Sequence, residues 1–179
     1  MFEDFNNKLL KLNEIDTLKE IKSTSPHVLQ IITYLLIFEY LIENWLNYRL
    51  NKGYDLFRGI EKIGFNNKLY LAKNPGLPKP IFNALNEIND QRNKFAHQIF
   101  KQSLTRSEIK KIGKLANDID CTGGKFEELG AYENGKLIRA SETNCEKALL
   151  LLALYALFGK VRNFVFTDIH INTSSELGP

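Results

Sequence analysis

The sequence predicts an all-α protein, a helical bundle that carries a small β-hairpin insertion around residues 124–140. Three observations support this fold class. Apolar residues recur at three- and four-residue steps over long stretches, which is the period of an amphipathic helix. Two Thr-x-x-Glu sequences, Thr105 to Glu108 and Thr143 to Glu146, match the capping box that opens a helix. Between them, an Asn-Gly step is flanked by β-forming residues, as in a hairpin.

The size and composition of the chain favour one ordinary domain. A chain of 179 residues with 44% hydrophobic and 25% charged residues can bury a substantial core. We expect a single helical domain over residues 1–171 and a flexible polar tail over residues 172–179. Cys121 and Cys145 lie far apart and match neither a disulfide framework nor a zinc site, so we expect no metal and no cofactor.

The sequence also bears on location. The N-terminal stretch is acidic and amphipathic, unlike the basic and then apolar start of a secretory signal. Charged residues interrupt the two most apolar segments: Glu39 and Glu43 in one, and Lys160 and Arg162 after the other. We therefore expect no membrane span and a cytoplasmic protein.

The first part of the chain reads as helices joined by short turns. Residues 5–22 have apolar side chains at helical spacing, and Ser25 and Pro26 suit the N-cap and first position of the next helix. Residues 27–50 are apolar on nearly every face, which places that helix in the centre of a bundle or in an interface. Residues 53–76 predict one or two short helices that end at a turn-forming Asn-Pro-Gly-Leu-Pro sequence.

The second part follows the same plan with one exception. Pro80 can open a helix that runs to about Phe100, and the capping box at Thr105 opens a shorter helix to about Ile119. The exception is residues 121–141, where glycine pairs and the Asn-Gly step predict the hairpin. The second capping box then opens a long C-terminal helix, to about residue 166 or beyond.

One charged residue, Arg92, lies on the apolar stripe predicted for the helix after Pro80. An unpaired guanidinium in a core is costly, so Arg92 must have an anionic partner, reach a wet cleft, or meet another molecule at an interface. Glu39 and Glu43 are spaced four apart on the apolar helix 27–50, and we predict that Arg92 faces one of them across the bundle. The stripe comprises Ile81, Leu85, Ile88, Arg92, Phe95 and Ile99.

His97 follows Arg92 on the same predicted helix. It lies about 140° around the helix from Arg92 and shares its face with Asn93. The helix thus presents all three side chains around one edge, but Arg92 and His97 do not converge on one point. Two such helices about a twofold axis would bring two arginines and two histidines into one cleft.

These residue types suit cleavage of RNA by its own 2′-hydroxyl group. That reaction needs a base for the hydroxyl proton, an acid for the leaving oxygen, and cations for the charge on the phosphate. Histidine can act as acid or base near neutral pH, and arginine matches two phosphate oxygens at once. From spacing alone, the alternative is a histidine at the edge of the core and an arginine in a bundle salt bridge.

A basic stretch follows the same helix. From Arg92 to Lys114 the chain has seven basic residues and one acidic residue, Glu108. Such a patch attracts a polyanion, although on its own it more often marks a solvated helix face. The candidate RNA-binding residues are Lys94, Lys101, Arg106, Lys110, Lys111 and Lys114.

The stretch from Ile88 to His97, INDQRNKFAH, resembles the signature of the HEPN superfamily. Its motif is an arginine, a polar residue that is often asparagine, and a histidine near the end of a helix in an α-helical bundle. The similarity is strongest over residues 27–120 and is closest to a branch of uncharacterised defence-associated and mannitol operon repressor-like proteins. The hairpin has no counterpart that we can place.

The resemblance implies a HEPN-like bundle, a homodimer and a composite active site at the dimer interface. It also implies a metal-independent endoribonuclease, acting as a toxin or antiviral effector, that leaves 2′,3′-cyclic phosphate ends. Arg92, Asn93 and His97 would be catalytic, with Glu39 and Glu43 in support. An antitoxin or a regulatory protein is a further possible partner.

Two alternatives stay open. Some members of the superfamily are non-catalytic, and the mannitol repressor-like branch is associated with regulation through proteins. The chain could therefore be a non-catalytic dimer that binds another protein, or a nucleic-acid binder that does not cleave.

Other basic residues receive structural interpretations. Arg162 and Asn163 repeat the Arg-Asn pair, but seven residues separate Arg162 from His170, which departs from the HEPN spacing. We interpret Arg162 as stabilising a helix C-terminus and His170 as lying past the helix end. His27, after Pro26, is interpreted as a surface residue.

Overall fold

The computed structural model describes residues 27–51, 57, 63–97, 103–133 and 135–176. These residues form an α-helical fold with one small antiparallel hairpin, which confirms the predicted class. A short 3₁₀ turn, Phe126–Glu128, precedes the hairpin. The helices and strands in chain order are α1 His27–Asn51, α2 Phe65–Lys73, α3 Lys79–His97, α4 Arg106–Asn117, β1 Gly130–Glu133, β2 Lys136–Arg139 and α5 Glu146–Glu176.

The predicted helices coincide with those observed, with differences at their ends. Helix α5 ends at Glu176, beyond the boundary at residue 171 that we expected between the domain and its tail. Lys101, Ile99 and the predicted helix over residues 5–22 lie outside the described residues, as does most of the segment 52–62.

The two most apolar helices form the centre of the fold. Helix α5 packs against α1 and α4, and α3 packs against α1, α2 and α4. Trp45, Phe38 and Tyr34 of α1 are almost completely buried in this core. Near the C-terminal end of α1, Asp168 of α5 accepts hydrogen bonds from Trp45 Nε1 at 2.8 Å and from Arg49 Nη2 at 2.6 Å. The centre of the fold is thus mainly apolar, and a charged pair lies at one edge of it.

The two predicted capping boxes have different outcomes. At Thr105 the box is complete, because its side chain accepts from the Glu108 amide while the Glu108 carboxylate accepts from the Thr105 amide. The second prediction is wrong. The hydroxyl of Thr143 accepts from the amide of Cys145, only two residues on, and α5 does not begin until Glu146. Thr143 is buried in the preceding turn, so its side chain serves that turn instead of the helix.

The hairpin has the two-residue loop that the Asn-Gly step predicts. Glu133 pairs with Lys136, which leaves positions 134 and 135 as the loop. Gly135 has a φ of +76°, a left-handed conformation that glycine adopts at little cost. Phe126, before β1, and Ala140, after β2, are buried in the core and attach the hairpin to the helices.

Two described helical segments are long and apolar enough to span a membrane, His27–Leu50 and Glu146–His170. We expected Glu39 and Glu43 to exclude such a span, but the first segment is still long and apolar enough despite these two charges. Length and composition are weak grounds for a span, because the core helices of soluble proteins pass the same test, and both segments pack in the core of this fold.

Candidate functional site

Helix α3 carries the residues that the sequence assigns to catalysis. Arg92 is exposed on its surface, although the preceding members of its stripe are fully buried. Within the chain, no described carboxylate pairs with this arginine, and its side chain faces solvent. The buried members of the stripe are Ile81, Leu85 and Ile88.

The predicted ion pair between Arg92 and Glu39 or Glu43 is wrong within one chain. Both carboxylates instead accept hydrogen bonds from Nζ of Lys68 in α2. Arg92 donates from Nη1 to Oδ1 of its neighbour Asn93 at 2.9 Å. The prediction failed because the spacing of the two carboxylates shows that they share a face of α1, but not that α2 lies over that face.

Lys68 is the partner that the sequence did not reveal. Its side chain is 10% exposed, whereas those of Glu39 and Glu43 are 23% and 29% exposed. Desolvation acts to lower the pKa of Lys68, but the hydrogen bonds and charges of the two carboxylates outweigh it, and the net shift is upward. These three residues form a structural cluster that joins α1 to α2.

His97 and Asn93 share an open groove beside α4. The groove has a volume of about 420 Å³. Arg92 is not one of the described residues that line the groove, because it lies about 140° around α3 from His97. Asn93 therefore connects the two sides, since it lines the groove and also binds Arg92. The lining residues are Glu87, Asp90, Asn93, Lys94, His97 and Lys111.

Carboxylates balance the charge of this groove. Glu87 is buried on α3, where one of its oxygens accepts from Gln91 Nε2 at 2.7 Å and the other accepts from Lys111 Nζ of α4. Lys94 Nζ lies 3.9 Å from a carboxylate oxygen of Glu108. Sequence analysis missed Glu87, although its spacing of four from Gln91 is a helical pairing signal.

The candidate RNA-binding residues do not form one uniform surface. Arg106 donates from Nη2 to the carbonyl oxygen of Thr143 at 2.8 Å, so its guanidinium contributes to the junction between α4 and α5. Lys110 and Lys114 are exposed on α4. Lys94 and Lys111 are paired with carboxylates, so Lys110 and Lys114 are the most available to an external anion among the candidate cations that the structure describes.

Arg162 and His170 both lie on α5. Arg162 donates to Oδ1 of Asn163 at 3.1 Å, the same neighbour contact that Arg92 makes with Asn93. Arg162 lies inside α5, as does His170, so the expected helix end between them is wrong. Helix α5 continues because no glycine or proline interrupts it between these residues.

His27 is buried, which corrects its assignment to the surface. Its Nδ1 atom accepts a hydrogen bond from the amide of Leu104 at 2.9 Å. This contact ties the start of α1 to the turn before α4, and its partner is 77 residues away in sequence. Burial lowers the pKa of His27, with a smaller opposing effect from the charge of Glu146.

A smaller cavity of about 150 Å³ lies where the loop at Gly123 and Gly124 meets α5. Arg162 and Asn163 line it together with apolar side chains. Lys160, also at this cavity, is occupied within the fold, since its Nζ donates to the carbonyl oxygen of Cys121 at 2.5 Å. Among the described residues, no group of three or more histidine, cysteine, aspartate or glutamate side chains is arranged to hold a metal ion.

Comparisons with known proteins give no relative. No family model matches the chain, and neither the curated proteins nor the solved structures contain a significant match.

Proposed function

We propose that this chain is a metal-independent endoribonuclease of HEPN type, acting in the cytoplasm as a toxin or an antiviral effector. The proposal rests on the resemblance of the Arg92–His97 stretch to the HEPN signature. The observation that carries it is the exposure of Arg92, which follows three fully buried members of its stripe and whose contact with Asn93 leaves guanidinium donors open to solvent.

In the proposed reaction His97 takes part in proton transfer. It would remove the proton from a ribose 2′-hydroxyl or donate one to the leaving 5′-oxygen. Arg92 would bind the non-bridging phosphate oxygens and stabilise the negative charge that develops on them. The 2′-oxygen forms a bond to phosphorus as the bond to the 5′-oxygen breaks, which leaves a 2′,3′-cyclic phosphate and a 5′-hydroxyl.

The geometry of a single chain favours a composite site. Arg92 and His97 are separated by about 7.5 Å along the helix and about 140° around it, so they approach one phosphate from different sides. The lysines of the groove at His97 are paired with carboxylates, Lys111 with Glu87 and Lys94 with Glu108, so the groove offers little unpaired positive charge to a phosphate. A second copy that places its Arg92 against this groove would add the cation that it needs.

The test is incubation of the purified protein with tRNA and mixed-sequence RNA in EDTA, followed by analysis of the RNA ends. We expect cleavage with cyclic phosphate ends by the wild type, and loss of cleavage in His97→Ala and Arg92→Ala. Two matched controls, His170→Ala and Arg162→Ala, remove the same side chains from α5 and should cleave normally. Equal activity in all four variants would attribute the cleavage to a contaminant and contradict the proposal.

Mixing the two inactive variants tests the composite site. If each cleft draws on both subunits, a mixed dimer of His97→Ala and Arg92→Ala retains one arginine and one histidine in the shared cleft. We then expect partial recovery of cleavage after joint refolding. No recovery, in mixed dimers verified by mass, would place each complete site within one subunit.

The pairing of Lys94 and Lys111 with carboxylates favours a second candidate function, a non-catalytic dimer that binds a regulatory protein. A groove of balanced charge suits a protein surface better than a polyanion. Under this alternative His97→Ala would keep the cellular phenotype of the wild type. A nucleic-acid binder without cleavage would also keep it, but would lose it when Lys110 and Lys114 are both changed to glutamate.

A further inference from the structure

Helix α5 presents one face to the small cavity beside the loop at Gly123 and Gly124, and Gly159 lies in the middle of that face. At about 100° per residue, Arg162 lies about 60° to one side of Gly159 around the helix. Lys160 lies about 100° to the other side. Both basic residues line the cavity, which has a volume of about 150 Å³. Positive side chains therefore flank a single cavity on both sides of Gly159.

The space in the cavity depends on Gly159. No described atom beyond its own stretch of helix would come within 4 Å of a Cβ added at this position. A glycine inside a helix is less stable than an alanine, and close packing among the described residues does not require one here. A large side chain at position 159 would project into the cavity and fill it.

The positive charge of the cavity lacks a nearby carboxylate. Lys160 is 9% exposed, and its Nζ donates to the backbone carbonyl oxygens of Cys121 and Ile119 at 2.5 and 3.3 Å. No described carboxylate forms an ion pair with Lys160 or Arg162, and none of the described residues that line the cavity is acidic. An anion in the cavity would therefore be attracted from both sides, and its charge would offset that of a largely buried lysine.

The guanidinium of Arg162 is held at the cavity by two other lining residues. Its Cζ lies 5.7 Å from the centre of the Phe158 ring, and its Nη2 donates to Oδ1 of Asn163 at 3.1 Å. Nδ2 of Asn163 donates in turn to the carbonyl oxygen of Thr122 at 2.8 Å, so this amide links the guanidinium to the loop. Nη1 of Arg162 donates to no residue that the structure describes, which leaves it open to an external anion.

The loop adds backbone donors to the cavity. The amides of Gly123 and Gly124 donate to no acceptor in the described part of the chain. Gly123 has a φ of +148°, and a Cβ added to it would lie 3.3 Å from Cε of Lys160. Glycine therefore allows the loop to approach the lysine closely, and amides left unpaired in such a loop can bind an anion.

We propose that this cavity binds a small phosphorylated organic molecule. Its phosphate would lie between Arg162 and the amides of Gly123 and Gly124, and its apolar part would pack against Leu129 and Tyr155. A tetrahedral phosphate accepts hydrogen bonds from several directions, whereas one guanidinium is enough to pair both oxygens of a planar carboxylate. A cavity of about this size can hold one benzene ring. The site is separate from the candidate nuclease residues and does not depend on their activity.

The test is calorimetric titration of the full-length protein with phenyl phosphate, inorganic phosphate and benzoate. We expect phenyl phosphate to bind most tightly, because it has both a phosphate and a ring. Arg162→Gln should weaken its binding about tenfold or more, which corresponds to the loss of one charge-assisted hydrogen bond. The matched control is Arg139→Gln, which makes the same change of charge at an exposed position on the hairpin and should leave the affinity unchanged.

Gly159→Leu tests the apolar part of the site. Its side chain should fill the cavity and weaken the binding of phenyl phosphate, whereas Gly159→Ala adds one methyl group and should weaken it less. Circular dichroism shows whether each variant folds, and the result for Arg162→Gln does not depend on the folding of Gly159→Leu. In the wild type, nuclear magnetic resonance should show shifts of the Gly123 and Gly124 amide signals as phenyl phosphate is added.

Three results would overturn the proposal. Absence of binding of phenyl phosphate to the wild type would show that the cavity is no ligand site for this class of molecule. Equal affinity of the wild type and a folded Arg162→Gln would place any binding elsewhere on the protein. Tighter binding of benzoate than of phenyl phosphate would show that the site does not select phosphate.

Discussion

Replacing Gly113 by alanine should destabilise the protein, even though alanine is the better helix former. Gly113 lies inside α4, where a Cβ atom would stand 2.6 Å from both Cγ and Cε1 of Phe126. Carbon atoms in contact are normally about 3.5 to 4.0 Å apart, so the shortfall is about 1 Å. The ring cannot retreat freely, because it is 3% exposed and its own amide donates to Oδ1 of Asn117 at 2.8 Å.

The magnitude follows from two opposing effects. Overpacking a core costs about 1 to 3 kcal/mol, and we take the upper end because Phe126 is anchored. The gain in helix propensity from glycine to alanine is about 1 kcal/mol. The free energy of unfolding should therefore fall by about 2 kcal/mol, which lowers Tm by about 4 to 8 °C in a chain of this size.

Gly159→Ala is the matched control for this effect. Gly159 also lies inside a helix, but among the described residues no atom beyond its own stretch of helix would come within 4 Å of its added Cβ. This variant should gain about 0.5 to 1 kcal/mol, because only the propensity changes. Urea denaturation of the wild type and both variants at one pH measures the two differences, with unchanged slopes showing that the unfolded states are comparable. Equal stability of Gly113→Ala and the wild type would refute the close packing of α4 on Phe126.

Two further predictions concern charged groups inside the fold. Neutral His27 accepts from the Leu104 amide and its pKa is lowered, so its contribution to stability is present above pH 6.5 and is lost as the pH falls toward its folded pKa. Urea midpoints at about pH 7.5 and about pH 5.5 should show this loss of stability. The loss should be smaller in His27→Asn, which keeps a hydrogen-bond acceptor that does not titrate. An equal loss in the wild type and the variant would show that other groups cause the pH dependence. Lys68→Met should cost about 2 to 4 kcal/mol, less than for a fully buried pair because water reaches Glu39 and Glu43. Thermal unfolding measures this cost, and changing both glutamates to glutamine should recover much of it; no recovery would mean that the loss came from packing of the lysine stem.

Much of the architecture is readable from the sequence because it depends on local interactions. The Thr105 capping box and the Asn-Gly loop of the hairpin each satisfy hydrogen bonds or dihedral angles within four residues. The same holds for the angle between Arg92 and His97, which the helical period determines once α3 is a helix. These features need no knowledge of what packs against them.

The partners of Glu39, Glu43 and His27 were decided by the tertiary structure. Glu39 and Glu43 could be placed on one face of α1, but only the packing of α2 brings Lys68 to them. The sequence predicted that His27 lies at the surface, but in the fold the turn at Leu104 covers it. Contacts between residues so distant in sequence leave no periodic signal, because each depends on how whole helices pack.

Some features of the candidate site are likewise determined by the sequence, and others depend on the packing of the helices. Its residue types and their positions on α3 follow from the sequence. The exposure of Arg92 and the pairing of Lys111 with Glu87 depend on how α3 packs in the fold. The sequence by itself therefore determined which groups are present and their order around the helix, whereas the fold decided which of them are neutralised by a partner and which still face solvent.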